Sequence, residues 1–205
     1  NPFLLNPEDS YSNEQKQLSG DRVGISKKPE IKAWSGPFIM ATANTRVVRR
    51  SEALLALRQE SYGSNFTYQE HAYHKSWLSA VSSLLLTGLS VLVLLSPLKR
   101  LVKPFLPKPG EGPSEAVQEN GWFDCKFIAE SEDGTKSVFN MHGKGDPGYK
   151  VTSKLVSECA LCLIEDIEEL PGGRGYGGVL TSASGLGHSL ISRLTKAGID
   201  FKGPL

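Results

Sequence analysis

Charged residues stop at Lys75 and do not resume until Lys99, leaving Ser76 to Leu98 without one. The inner part of this run, Leu84-Leu-Leu-Thr-Gly-Leu-Ser-Val-Leu-Val-Leu-Leu95, is apolar nearly all the way round a helix and not along one stripe. Pro97 should end that helix, and Lys99, Arg100 and Lys103 follow at once. Upstream the pattern changes. Residues 1–33 are polar and broken by Pro2, Pro7, Gly20, Gly24 and Pro29, so they read as an irregular connecting segment. The apolar stretch Trp34 to Ala43 offers a strand after the Gly36-Pro37 turn. Asn44 is a candidate N-cap, and Val47, Val48, Ser51, Leu54 and Leu55 recur at helical spacing as far as Gln59. Phe66, Tyr68 and Tyr73 form an aromatic segment after Tyr62-Gly63.

Downstream, Pro104, Pro107, Pro109 and Pro113 predict a stiff, extended linker. Phe123, Cys125, Phe127 and Ala129 then alternate with Asp124 and Lys126, the pattern of a half-buried strand. A turn at Glu132-Asp-Gly134 and a second strand from Lys136 to Met141 complete a hairpin. Gly145-Asp-Pro-Gly148 precedes a helix from Tyr149 to Glu165 with Thr152, Leu155, Val156, Cys159 and Leu163 on one face, and Asp146 is placed to cap it. After the glycine-dense connection Pro171 to Gly178 come a short strand at Val179-Leu180 and a helix capped by Ser182 or Ser184. That helix turns Leu186, Leu190, Ile191 and Leu194 inward and ends at Gly198, before a strand from Ile199 to Phe201. Alternating strands and helices predict an α/β (α+β) class, a mixed sheet with packed helices interrupted by one hydrophobic helix. The expected organisation is 1–33 connecting, 34–75 first part of the domain, 76–103 hydrophobic helix, 104–120 linker and 121–205 second part of the domain.

Composition narrows the chemistry. The chain has 205 residues, with 23 Lys plus Arg against 22 Asp plus Glu and no basic stripe interleaved with aromatics, so no nucleic-acid partner is expected. Three cysteines are too few for a disulfide framework and suit a reducing, intracellular compartment. Cys159-Ala-Leu-Cys162 matches C-x-x-C but lies in an apolar run, which favours buried thiols over a redox pair. His71, His74, His142 and His188 show no metal-ligand spacing, and no metal is expected. The glycines of Pro171 to Gly178 follow a helix and lack a Gly-Lys-Ser/Thr ending, so they do not read as a phosphate loop.

Three stretches carry a family likeness: Leu4-Leu-Asn-Pro7 with Ala33-Trp34 through Ala43–Ser51; Gly110-Glu-Gly-Pro113, Gly121-Trp-Phe123, Gly145–Tyr149 and Glu158–Leu163; and Gly177–Gly187 with Arg193–Ile199. Together they resemble the C-terminal half of saccharopine-dehydrogenase-like oxidoreductases, a group related to the trans-acting enoyl reductases of lipid synthesis. The resemblance implies an α/β domain that walls a substrate cleft beside an NAD(P)-binding Rossmann domain. Nothing in the first forty residues reads as strand, glycine turn and helix, so no cofactor is expected in this chain. NAD(P) is expected in an N-terminal domain outside it.

Two groups of residues are the candidate site. Arg46, Arg49 and Arg50 form a basic cluster suited to a carboxylate or phosphate, to substrate, or to contacts with a neighbouring domain. Trp77, Leu84, Leu85, Leu86, Leu89, Leu92, Leu95, Lys99 and Arg100 are the candidate membrane contacts, an apolar run with an aromatic anchor at one end and cations at the other. This run reads as a helix lying in the surface of an organelle membrane, such as a mitochondrial one, or of a lipid droplet. A true span, a helix buried in the fold and a helix covered by a partner protein are the alternatives. The expected function is the substrate-side, membrane-attaching part of an NAD(P)-dependent oxidoreductase, inactive by itself. The alternative is a non-catalytic, membrane-bound interaction protein or accessory subunit.

Overall fold

A computed structural model describes residues 1–8, 10–20, 24–63, 65–106, 108 and 110–203. The chain divides into two compact units, 1–107 and 108–205. The α+β class holds in both. The strands form two separate three-stranded antiparallel sheets, where one mixed sheet was expected.

The first unit contains α1 (Asn13–Leu18), β1 (Ser26–Lys28), β2 (Ala33–Gly36), α2 (Ala41–Ala56), β3 (Ala72–His74), α3 (Trp77–Leu95) and α4 (Lys99–Val102). The opening residues are therefore not an irregular connection. Ser12 and Gln15 form a reciprocal capping box that starts α1, and Lys27 and Lys28 pair with Trp34 and Ala33. The sheet order is β1-β2-β3, with Trp34 opposite His74. The strand precedes Gly36-Pro37 and does not follow it. Asn44 is not the N-cap: α2 begins three residues earlier, and the Asn44 amide donates to Glu70 at 2.9 Å from within the helix. The buried face of α2 is Thr45, Arg49, Ser51, Ala53 and Leu55, whereas Val47 is exposed. That face is rotated toward Arg49, whose guanidinium is only 2% exposed. It donates to Pro2 O at 3.0 Å and Tyr68 O at 2.8 Å, and lies 5.5 Å from the ring of Phe3, itself stacked on Tyr11. One side chain thus ties the N-terminal segment and the Tyr68 loop to the helix.

The second unit contains α5 (Glu115–Asn120), β4 (Trp122–Glu130), β5 (Lys136–Lys144), α6 (Lys150–Glu165), α7 (Ser182–Lys196) and β6 (Asp200–Lys202), with sheet order β4-β5-β6. Its core is Val151, Cys162, Leu170, Leu186, Leu190, Leu194 and Ile199, against which Phe123, Met141, Leu155 and Cys159 pack. The inward face of α6 is thus Val151, Leu155, Cys159 and Cys162. Thr152, Val156 and Leu163, expected inside, are exposed, as is Ile191 on α7. The alternation in β4 is real but only its first part is covered: Phe123 packs on the core, while Cys125, Phe127 and Ala129 are exposed. Gly143, opposite Phe123, is needed because a Cβ there would lie 2.2 Å from the Phe123 ring. Val179 and Leu180 form no strand. Thr181, not Ser182 or Ser184, is the N-cap of α7, with Ser184 closing the box. Gly187 kinks α7 at φ 52°, and a Cβ there would meet Pro171 at 2.8 Å. Asp146 does cap the approach to α6, accepting from the Tyr149 amide at 2.7 Å. In the stretch expected to be an extended linker, Pro104 sits in a 3-10 turn (Lys103–Phe105) and residues 115–120 form α5; Pro107 and Pro109 lie outside the described residues.

Two outcomes follow from this packing. Replacing Arg49 by Met removes two charge-assisted hydrogen bonds from a buried position, so chemical denaturation should show a loss of roughly 2–4 kcal/mol in the first unit. In the hairpin turn, Asp133 accepts from the Ser131 hydroxyl and the Thr135 amide, which lowers its pKa from 3.8 to about 2. A lowered carboxylate pKa stabilises the fold above the unfolded value and is lost as pH falls through the folded one. The Thr135 amide should therefore lose hydrogen-exchange protection between about pH 4 and pH 2, a dependence that Asp133→Asn should abolish.

Candidate functional site

The hydrophobic run folds as one uninterrupted helix, α3, with bounds at Trp77 and Leu95. Ser76 caps it by accepting from the Ser79 amide at 3.2 Å, and the Ser96 amide closes the last turn onto Leu92 O and Val93 O. Two of its hydroxyls fold back onto the helix: Ser82 donates to Ser79 O at 3.0 Å and Ser90 to Leu86 O at 2.8 Å. At 1.5 Å per residue the helix is about 28 Å long, close to the ~30 Å hydrocarbon thickness of a bilayer. Ala80 alone is buried, within the first turns that pack beside β2 and β3. Trp77, Leu85, Leu86, Leu89, Leu92 and Leu95 are exposed, Leu95 to 82%, and Leu84 is half-buried. This is a helix long and apolar enough to cross a membrane whose surface the chain itself leaves open. Lys99 and Arg100 are exposed on α4, immediately beyond Pro97.

The three arginines of α2 do not converge on an open site. Arg49 is buried on backbone carbonyls, Arg50 donates to Leu5 O, and Arg46 donates to the Thr45 hydroxyl at 3.1 Å. Each holds a part of the first unit.

A cleft of about 620 Å³ along α6 and α7 is lined by Glu158, Asp166, Glu169, His188, Ser189, Ser192, Arg193 and Lys196. Arg193 reaches three carboxylates there, Glu158 at 3.0 Å, Glu165 at 2.8 Å and Asp166 at 3.0 Å, and Asp166 followed by Glu165 raises its pKa. Hydrophobic spacing gave no signal for this cluster, since its partners lie 27 to 35 residues away. On the outer sheet face, Asp124, Lys126, Asn140, His142, Asp200 and Lys202 line a smaller cleft of about 330 Å³, in which His142 Nδ1 lies 2.7 Å from Asp124. Asp200 raises the pKa of Lys202. Cys159 and Cys162 share the inward face of α6. Burial raises both thiols, that of Cys162 to about 11 with help from Asp166.

Among the described residues no group of three or more His, Cys, Asp or Glu side chains is placed to hold a metal ion. The geometry does not suit a dinucleotide either. All described strand pairings are antiparallel. Strand β5 does run through Gly145-Asp-Pro-Gly148 into α6, but the Asp146 carboxylate already takes the Tyr149 amide at the head of that helix, where a pyrophosphate would have to sit. The glycines before α7 follow a helix, and the first-turn amide of α7 that faces Thr181 is already capped. No step of nicotinamide chemistry is therefore derived from these residues.

The chain is similar to a Mycobacterium tuberculosis protein named provisionally as a trans-acting enoyl reductase, with 37% identity over 214 aligned positions, 98% of this chain and 49% of the relative. It is also 34% identical over 185 positions to a trans-acting enoyl reductase of Mycobacterium leprae, covering 86% of this chain and 43% of that protein. A trans-acting enoyl reductase of Mycobacterium bovis is 33% identical over 187 positions, covering 87% and 43%. The chain spans about half the length of the curated relatives it matches. No family model matches it, and no solved structure matches it.

The burial of α6 sets an order of thiol reactivity. With iodoacetamide at pH 7.5, exposed Cys125 should be alkylated first, Cys159 more slowly, and Cys162 only after denaturant is added. Peptide mass spectrometry of a time course reads this order directly. Equal rates for all three would show that the α6–α7 core opens in the native state.

Proposed function

We propose that this chain is the membrane-attached, substrate-side part of an NAD(P)-dependent oxidoreductase of the trans-acting enoyl reductase kind. In this reading the nucleotide site lies in a saccharopine-dehydrogenase-like Rossmann domain outside the chain. Support comes from relatives that bear that name at 33–37% identity and are about twice as long as the aligned region. The carrying observation is α3, a charge-free helix of bilayer length with most of its leucines exposed and with Ser82 and Ser90 closed onto its own carbonyls. A helix apolar on all sides gains from burial on all sides, at about 1.5–3 kcal/mol for each leucine removed from water. Lys99, Arg100 and Lys103 then face the headgroups, where each adds about 1 kcal/mol at an anionic leaflet. Attachment by this segment would hold a substrate-binding domain beside acyl chains, a suitable place for an enzyme that acts on lipid precursors.

Because Leu89 and Leu92 are exposed and touch no core, the double variant Leu89→Asp, Leu92→Asp should move the protein from the membrane pellet to the soluble fraction with its circular dichroism spectrum retained. Unfolding of this variant in detergent-free buffer would make α3 a core element and overturn the attachment. Resistance of the wild type to alkaline carbonate would identify a spanning helix rather than a surface-lying one. Titration of the purified chain with NADH or NADPH should give no saturable fluorescence change at micromolar concentration. A saturable change would place the nucleotide site within these residues.

A further inference from the structure

The outer edge of β4 is complementary to itself. Strand β4 pairs with β5 on one side, and no described strand pairs with the other. Two bonds fix the phase of the ladder: the Ser131 amide donates to Thr135 O at 3.0 Å and the Gly145 amide to Gly121 O at 2.7 Å. Both pairs continue the β4–β5 register, so Phe123, Cys125, Phe127 and Ala129 exchange hydrogen bonds with β5. The amides and carbonyls of Trp122, Asp124, Lys126, Ile128 and Glu130 therefore point to the open edge.

A second copy can add antiparallel to that edge only if its own outward-pointing residues meet these five. This restricts a two-fold arrangement to registers that differ by two residues. Centred on Cys125, Asp124 of each copy stands opposite Lys126 of the other, Phe123 opposite Phe127, and Trp122 opposite Ile128. A slip one way places Lys126 against Lys126, and a slip the other way places Asp124 against Asp124. Like charges directly opposite are unfavourable, whereas opposite charges and aromatic pairs are favourable. The face carrying Phe123, Cys125 and Phe127 would also continue as one apolar surface across both copies, covering Phe127, which is 42% exposed in the single chain. Trp122, 64% exposed, would gain Ile128 as a neighbour. A nine-residue edge with both faces largely open is a template for pairing unless something blunts it, and its central charges select this register.

We propose that two copies of this chain join edge to edge through β4, centred on Cys125, to make one continuous six-stranded antiparallel sheet. The occupant of the edge is a second copy because the charge order of the strand matches its own reverse. This inference does not depend on the proposed oxidoreductase function. In the assembled sheet the two Cys125 residues form a non-hydrogen-bonded pair, with Cα atoms about 4.5 Å apart, within the range a disulfide bridges.

The test uses the full chain in detergent micelles at tens of micromolar. Copper-phenanthroline with dissolved oxygen accepts the two electrons and two protons that a thiol pair gives up on forming a disulfide. It should convert most of the protein to a reducible dimer on a non-reducing gel, and Cys125→Ser should abolish that band while Cys159→Ser, Cys162→Ser keeps it. By light scattering, Lys126→Asp should weaken dimerisation at least tenfold with an unchanged circular dichroism spectrum, and the charge swap Asp124→Lys, Lys126→Asp should restore it. A monomeric wild type overturns the proposal. So does a dimer that survives Lys126→Asp, which would point to association through α3, or a cross-link that persists without Cys125.

Discussion

A helix with no charge over 19 residues, of which Ala80 alone is buried, is the constraint from which the first unit takes its character. Water cannot cover such a surface without cost, and the chain does not cover it. The backbone is satisfied because a helix bonds to itself, and the Ser82 and Ser90 hydroxyls fold onto carbonyls of the preceding turn. What remains exposed is hydrocarbon. The first turns of α3 alone join the fold, through Ala80 beside the small β1-β2-β3 sheet, so the helix is anchored at its N-terminal end and leaves its C-terminal leucines open.

Each unit meets the problem of holding distant segments with an arginine. In the first, apolar burial is slight, and Arg49 links residues separated by 47 and 19 positions through their backbone carbonyls. In the second, Arg193 on α7 joins three carboxylates of the second half of α6 and its C-cap, beside a leucine core. The two differ in consequence. A carbonyl cannot change its charge, so the Arg49 links do not depend on the protonation of a partner. The Arg193 cluster is open to solvent on one side and lines a cleft, so salt and pH reach it.

The polar cleft beside β4 and the open edge of the same strand draw on the same residues. Asp124 holds His142 across the sheet, and Lys126 donates to Asn140 at 3.3 Å. Both acid and base therefore stand in defined positions on the polar face while their backbone groups point outward. That order makes the edge selective where an uncharged strand of this length would pair indiscriminately.

How much of this was legible from the residues depends on the range of the interaction. The bounds of α3, the hairpin around Glu132-Asp-Gly134, the extent of α6 and the Asp146 cap were readable because each is fixed by neighbours within a few positions: missing charge, turn chemistry, 3.6-residue spacing. Local capping also misled. Asn44 is a good cap by type, yet α2 starts at Ala41, and Thr181 took the role expected of Ser182 or Ser184. The direction in which a helix turns was decided only by tertiary packing. Val47, Val156, Leu163 and Ile191 fit an inward stripe as well as their buried neighbours do, and in α2 an arginine lies inside, where it donates to two carbonyls from distant segments. Splitting the strands into two antiparallel sheets was likewise beyond pattern reading, since alternation gives a strand its faces but not its partner. Sequence alone determined that one segment is apolar on all sides and long enough to cross a membrane. The tertiary structure decided that the described residues cover only its first turns, because α3 joins the fold through Ala80 beside β2 and β3 and leaves its later leucines exposed.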